Sequence, residues 1–311
     1  AVTAVIQSST ATIVLTSGLV GAGIISLRQS LGIIIGANVG TTVTGQIIRL
    51  LDLNSSGSWF LQFLKPSTLA PLALIVGIII IMGMKSDHSG KAGQIIIGFG
   101  ILFSGLLNMT DAVEVLSDSG IVEHIFSRLG NNPLIAYLSG AGVAFMLQSS
   151  SATIGILQAF STSGQLTFSD IYAMLVGIYL GDCGTTAIVC NIGAKPEAKR
   201  VGVVNILFNL SKSALILIVV AVIHRFGLLD GIWNQTIHSG GIANTNTIFN
   251  LSCAFLLLPF VGIYEQISHR LIKDQPAAAG KYDEMLDALN PVFISTPAVA
   301  FGRCYDVLLV I

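Results

Sequence analysis

Long apolar stretches constrain the fold of this chain more than any other feature. Residues 69–84, 95–109, 201–223 and 248–264 are mostly apolar, and about 20 mostly apolar residues in a helix cross a bilayer. Only 10% of the residues are charged, against about 25% in soluble domains, and the mean hydropathy is +0.82. We therefore predict an all-α polytopic membrane protein, since lipid cannot satisfy the open edges of a sheet.

A pair of motifs occurs twice, in the same order. The stretch "QSSTATIVL" starts at Gln7 and is followed by "IIIGANVGTT", which ends at Thr42. The stretch "QSSSATIGIL" starts at Gln148 and is followed by "GIYLGDCGTT", which ends at Thr186. The Gln residues are 141 positions apart and the final Thr residues 144 apart, so the pattern indicates an internal duplication.

Each copy is interpreted as a re-entrant hairpin followed by about three transmembrane helices. The predicted hairpins cover residues 7–23 and 133–164. Each arm of the second hairpin has about 15 residues and rises only about 22 Å, too little for a hydrocarbon core of about 30 Å. One long tilted helix remains the alternative. The predicted spans are 31–51, 67–84, 92–109, 171–192, 201–223 and 242–267.

This interpretation divides the chain into four parts. Residues 1–109 form the first repeat, which we expect to lack an N-terminal piece, and residues 133–273 form the second repeat. Residues 110–132 form an extracellular connecting segment, predicted to be a solvated loop or surface helix, and residues 274–311 a cytoplasmic tail.

The distribution of basic residues predicts the orientation. One side collects Arg28, Lys85, Lys91, Lys195, Lys199, Arg200, Arg270 and Lys273, and the other collects Arg49, Lys65, Arg128 and Arg225. The richer side is expected to be cytoplasmic. The first hairpin then enters from the cytoplasm and the second from outside, which is the inverted-topology duplication of many secondary transporters.

The hairpin tips are the predicted anion site. The second arms are expected to begin at about residue 9 or 10 and residue 150 or 151, and a helix start offers unpaired N–H groups and partial positive charge. The predicted phosphate-binding residues are Ser8, Ser9, Thr10, Ser149, Ser150 and Ser151. Helix–helix hydrogen bonding is the alternative for such Ser-rich patches.

The second motif predicts a cation site. Its aligned positions place Asn38 opposite Asp182, and a carboxylate within a membrane span indicates function. A structural ion pair is the alternative for Asp182. The predicted sodium-binding residues are Gln7, Gln148, Asn38, Thr41, Thr42, Asp182, Thr185 and Thr186. Asn209, Asn250 and Lys212 are cavity-lining candidates, and for Lys212 three roles stay open: neutralising Asp182, approaching the anion, or snorkelling.

The paired motifs, with the later "NILFN" and "NTIFN" stretches, resemble the type II sodium–phosphate cotransporter family over nearly the whole chain. The stretch "LDALNPVFISTPAVAF" is similar to the linker to a PhoU-like domain in bacterial members. The resemblance implies sodium-driven phosphate symport with the site at the QSS hairpins. Asn205 and Asn246 stand where many relatives have His, which puts any role of that His in doubt here.

We therefore expect a secondary transporter that works by alternating access in the inner (plasma) membrane, with phosphate, sodium and lipid as partners. Sodium is expected to be the coupling ion. No enzyme activity, cofactor or nucleic-acid partner is expected, and a homodimer is left open. Symport of another oxyanion or small carboxylate, and a phosphate-sensing signalling protein, are the alternatives. An intramembrane hydrolase is disfavoured because the adjacent Ser211 and Lys212 point apart on a helix.

Overall fold

Two pairs of short helices, each interrupted at a Gln-Ser-Ser motif, are the distinctive feature of the fold. The computed structural model describes residues 2–49, 66–83, 87–118, 132–164, 166–192 and 194–273, together with 301, 302 and 305. The helices of the first copy are α1 (Val2–Ile6), α2 (Ser9–Gly21), α3 (Leu27–Gly40), α4 (Thr42–Ile48), α5 (Pro66–Gly83) and α6 (Asp87–Asp118). Those that follow are α7 (Pro133–Leu147), α8 (Ser150–Ser161), α9 (Phe168–Asn191), α10 (Pro196–Arg225), α11 (Asp230–Trp233), α12 (Ser239–Leu257) and α13 (Val261–Leu271).

The described part of the chain is helical, without strands, and five stretches in it can cross a membrane. They are Leu27–Ile48, Gly90–Val113, Phe168–Asn191, Pro196–Arg225 and Ser239–Leu271. The predicted span at 67–84 corresponds to a shorter apolar helix, Ser67–Gly83. The prediction of an all-α polytopic membrane protein is confirmed, while the inverted orientation of the two repeats stays a prediction.

Element boundaries differ from the sequence patterns in several places; for example, the predicted span 31–51 contains two helices, α3 and α4. Helix α6 continues without a break through Asp118, so the start of the predicted connecting segment is helical; residues 119–131 lie outside the described residues. The last predicted span is interrupted by a 3₁₀ turn, Leu258–Phe260, because Pro259 cannot donate the hydrogen bond that a continuing helix requires.

The chain divides into two compact units, Ala1–Leu271 and Ile272–Ile311. Most of the predicted cytoplasmic tail lies outside the described residues, apart from the few positions between 301 and 305.

The first arm of each pair packs on the helix that carries the second motif. A Cβ atom added to Gly40 of α3 would lie 2.8 Å from the Cβ of Thr3 in α1. At the aligned position in the second copy, a Cβ added to Gly184 would lie 2.9 Å from the ring of Phe145 in α7. Small residues allow such close approach between membrane helices, so the duplicated sequence produces the same local packing twice.

Candidate functional site

The breaks between the short helices have the same backbone conformation in both copies. Gln7 has φ +59° and Gln148 has φ +54°, and they are the only non-glycine residues with positive φ in the described part of the chain. A left-handed residue ends a helix, and outside glycine it costs about 1–3 kcal/mol, which structures retain mainly at functional sites. The Gln-Ser-Ser motif therefore specifies a sharp end to the first arm.

The next residue in each copy caps the second arm. Ser8 and Ser149 are extended, and each Oγ accepts a hydrogen bond from the N–H three residues later, at Ala11 and Ala152, at 3.1 Å in both cases. This is the usual geometry of a serine N-cap. The predicted helix starts at Ser9 and Ser150 are thereby confirmed, and each capping hydroxyl still has its proton to donate.

Ser149→Ala is expected to lower the free energy of unfolding by about 1 kcal/mol, because one N–H at the start of α8 loses its acceptor. Thermal unfolding of the purified protein measures the effect. Ser149→Thr keeps the hydroxyl and serves as the control; equal melting of the Ala and Thr variants would remove the capping role.

Asp182 joins the two tips, residues 7–10 and 148–151. Its Oδ2 accepts from the hydroxyl of Ser9 at 2.9 Å, and its Oδ1 accepts from the backbone N–H of Ser150 at 3.3 Å. Beside this contact, the hydroxyls of Thr10 and Thr186 lie 3.3 Å apart. The Asp182 carboxylate thus lies at the start of α8, where a helix favours negative charge.

A small polar cavity of about 10 Å³ lies between the tips. That volume admits roughly one water-sized sphere, which is smaller than a phosphate ion. Both copies of the duplication contribute to its wall. The lining residues are Ser9, Asn38, Thr41, Ser150, Ile154, Tyr179, Asp182, Asn246 and Asn250.

Several predicted site residues lie outside this cavity. Gln7 and Ser151 line a second, mostly apolar cavity of about 420 Å³. There the side-chain Oε1 of Gln7 accepts from the Thr44 hydroxyl, and the Ser151 hydroxyl lies 3.5 Å from that of Thr44. The side chain of Gln148 is exposed.

The threonines of the second motif bond to their own helices. Thr41 and Thr42 donate to the carbonyl oxygens of Ala37 and Val39. Thr185 and Thr186 both donate to the backbone carbonyl of Asp182, each at 3.1 Å. Their hydroxyl oxygens keep lone pairs for a cation, but only Thr41 also lines the small cavity.

Asn246 is a site residue that the sequence reasoning did not select. Its Oδ1 accepts from the hydroxyl of Tyr179 at 2.8 Å and from Nδ2 of Asn250 at 2.9 Å. Its own Nδ2 is buried and has no partner within the described residues, although the residue lines the cavity. The available signal was the spacing of Asn246 and Asn250, because residues four apart share one helix face.

Lys212 is fully buried and does not snorkel. Its Nζ donates to Oδ1 of Asn38 at 3.0 Å and to Oδ1 of Asn250 at 2.9 Å, and it lies 3.8 Å from the ring centroid of Tyr179. No direct ion pair joins it to Asp182 in the described ranges. The ammonium group therefore lies behind the cavity wall, held by residues that also face the cavity. Asn209, by contrast, bonds to Asn205 in its own helix.

The fold and this site define a multi-pass helical membrane protein with a partly buried carboxylate, hydroxyls and helix starts at the junction of broken helices, an arrangement typical of secondary transporters. The chain belongs to the Na+/Pi-cotransporter family, whose model matches residues 1–111 and again residues 108–256. The resemblance seen in the sequence is thus confirmed, and the family is one of transporters, not enzymes.

Curated relatives are longer than this chain. It is 28% identical over 276 residues to the "Putative inorganic phosphate export protein YjbB" of Salmonella typhimurium and 29% identical over 275 residues to that of Escherichia coli K12. Each match covers 88% of the chain but 47% of the relative, so the chain spans about half their length. "Uncharacterized protein YqeW" of Bacillus subtilis is 23% identical, over 87% of the chain and 81% of the relative. No solved structure matches the chain significantly.

Proposed function

We propose that this protein transports inorganic phosphate across the membrane by symport with Na+. The observation that carries the proposal is the position of Asp182, whose carboxylate contacts both tips in a cavity that is also lined by uncharged polar groups. A carboxylate and amide or hydroxyl oxygens suit a hard cation, and the start of α8 with the free amide of Asn246 suits an anion. The family and the names of the relatives support phosphate as that anion.

Asp182 also explains how the two fluxes are coupled. In this conformation its carboxylate holds the Ser9 hydroxyl and the Ser150 N–H, which are two of the donors that phosphate requires. A phosphate about 4 Å from that carboxylate is repelled by about 4 kcal/mol per unit charge at an effective dielectric constant near 20, or roughly a thousandfold in affinity. Na+ bound to Asp182 cancels that charge and releases the donors.

The size of the cavity supports a conformation in which the two tips are closed on each other and phosphate is not yet bound. A volume of about 10 Å³ leaves room for a cation but not for phosphate, so the tips separate before the anion binds. The contacts that break are those of Ser9 and Ser150 with Asp182 and that of Thr10 with Thr186. Na+ binding first and phosphate second is the order that this geometry favours.

Phosphate export is the second candidate, and the names of the relatives favour it. A symporter is reversible, so the ion gradients set its direction. Placement in the plasma membrane with a cytoplasmic tail belongs to the same proposal, since the charge distribution alone supports it.

Reconstituted protein is expected to take up radiolabelled phosphate into liposomes when an inward Na+ gradient is imposed, and to lose this uptake when K+ replaces Na+. Uptake of equal rate with and without the gradient would contradict symport. Liposomes preloaded with phosphate and diluted into Na+-free buffer test export, and competition by sulfate or a small carboxylate tests the other anions.

A further inference from the structure

The surroundings of Lys212 form a cation site in their own right. Two amide oxygens, from α3 and α12, accept hydrogen bonds from its ammonium group, and the face of an aromatic ring from α9 lies against it. Amide oxygens and an aromatic face are groups that attract a cation. Within the described chain, no carboxylate pairs with it directly, so the groups in contact with the ammonium are neutral.

The orientation of both amides is fixed by a second hydrogen bond. Nδ2 of Asn38 donates to the backbone carbonyl of Ile34 at 3.0 Å, and Nδ2 of Asn250 donates to that of Asn246 at 2.9 Å. Because the nitrogen atoms are committed to their own helices, the oxygen atoms must face Lys212. The site is therefore built to receive a positive charge, whatever group supplies it.

Two similar stretches of the chain differ at the position of this charge. The stretch "FNLSK" ends at Lys212 in α10, and "FNLSC" ends at Cys253 in α12. In the motif helices the aligned residues are Asn38 and Asp182. Each pair thus contains one charged residue and one neutral residue, and the two charges are opposite in sign.

We propose that Lys212 is a tethered cation, which occupies a cation site behind the transport cavity and supplies a positive charge in place of one Na+ per phosphate. The inference rests on the proposed function. Its neutral partners Asn38 and Asn250 line the cavity, so the field of the ammonium group reaches the substrate without direct contact. A solute Na+ at that position would have to enter and leave in every cycle, whereas the lysine stays.

A purely structural role would leave the ion requirement unchanged. Lys212 links α3 and α12 through hydrogen bonds, and loss of those bonds alone would lower stability or the maximal rate. If the Lys212 charge replaces one Na+, its loss would instead change how many Na+ ions accompany each phosphate. The slope of phosphate uptake against Na+ concentration separates the two roles.

The test measures the Hill coefficient for Na+ in proteoliposomes, together with Na+ binding by the purified protein without phosphate. Lys212→Met removes the charge at similar side-chain length, and Asn38→Asp adds a carboxylate of unchanged shape next to the ammonium. Both lower the local charge by one, so both are expected to raise the Hill coefficient by about one. Ser211→Ala on the same helix, whose side chain is not in the site, is expected to match the wild type.

Asn38→Asp is expected to fold even if Lys212→Met does not, because the substitution is isosteric and adds an ion pair with Lys212. A wild-type Hill coefficient in Asn38→Asp therefore overturns the tethered cation. A wild-type value in a folded Lys212→Met variant overturns it as well. These outcomes leave the proposed function intact. Failure of the wild type to move phosphate with Na+ instead contradicts the proposed function, and the tethered cation falls with it.

Discussion

Asp182→Asn is expected to abolish the Na+ dependence of phosphate binding. Under the proposed function, the substitution removes both the negative charge that repels the anion and the carboxylate that ligates Na+. Wild-type affinity should rise roughly 100- to 1,000-fold on adding Na+, the range expected for about 3–4 kcal/mol of repulsion, whereas the variant should change by less than about threefold. Equilibrium binding of radiolabelled phosphate to purified protein, in Na+ and in K+ buffer, measures both.

The same helix supplies the control. Asp170 is the carboxylate of a capping box at the start of α9, where it accepts from the backbone N–H of Thr167 at 2.9 Å. Asp170→Asn makes the identical chemical change away from the cavity, and it should cost about 1 kcal/mol of stability while Na+ dependence stays at the wild-type level. Undiminished stimulation by Na+ in Asp182→Asn would mean that another residue carries the coupling ion.

The direction of the effect in K+ buffer adds a second check. If Asp182 occupies the anion's donors in the Na+-free state, then its neutralisation strengthens phosphate binding without Na+. If the carboxylate only ligates Na+, the affinity in K+ buffer stays at the wild-type value. The first result would mean that Na+ acts by freeing the Ser9 and Ser150 donors from Asp182. The second would mean that Asp182 serves only as a ligand for Na+.

Much of the site could be predicted because its signals are local in sequence. A polar break in an apolar segment indicates a helix start, and the start positions at Ser9 and Ser150 follow from the serine N-caps. The duplication adds the pairing of Asn38 with Asp182, since aligned positions in two copies occupy related places. The periodicity of apolar residues similarly predicts the membrane helices, although Pro259 interrupts the last of them.

The contacts between distant segments could not be predicted. Ser9 and Asp182 are separated by 173 positions, and no spacing rule predicts which hydroxyl meets which carboxylate across helices. For Lys212 the sequence left three roles open, because helical periodicity fixes neighbours within α10 but not the amides of α3 and α12. The left-handed backbone of Gln7 and Gln148 was also missed, since Gln is an uncommon residue in that conformation.

Helices α7 and α9 pack so closely that adding a single methyl group between them is expected to lower the stability of the protein strongly. A Cβ atom added to Gly140 would lie 2.1 Å from the backbone carbonyl oxygen of Met174, and one added to Gly177 would lie 1.9 Å from that of Tyr137. Backbone atoms of two helices cannot move aside as the end of a side chain can, so Gly140→Ala must push the helices apart. In lipid this close packing, more than apolar burial, holds the helices together.

Gly140→Ala should therefore cost more than about 3 kcal/mol, above the usual range for overpacking, and lower the melting temperature by more than roughly 5 °C. Gly142→Ala, on the same helix, meets no atom within 4 Å and should be neutral or stabilising by up to about 1 kcal/mol, because Ala is the better helix former. Thermal unfolding of the two purified variants in one detergent gives the comparison. Equal melting would show that α7 and α9 are less tightly apposed than the structure has them.

Because Asp182 follows the close-packed Gly181 on α9, the looser packing of Gly140→Ala should also weaken phosphate binding, and Gly142→Ala should not.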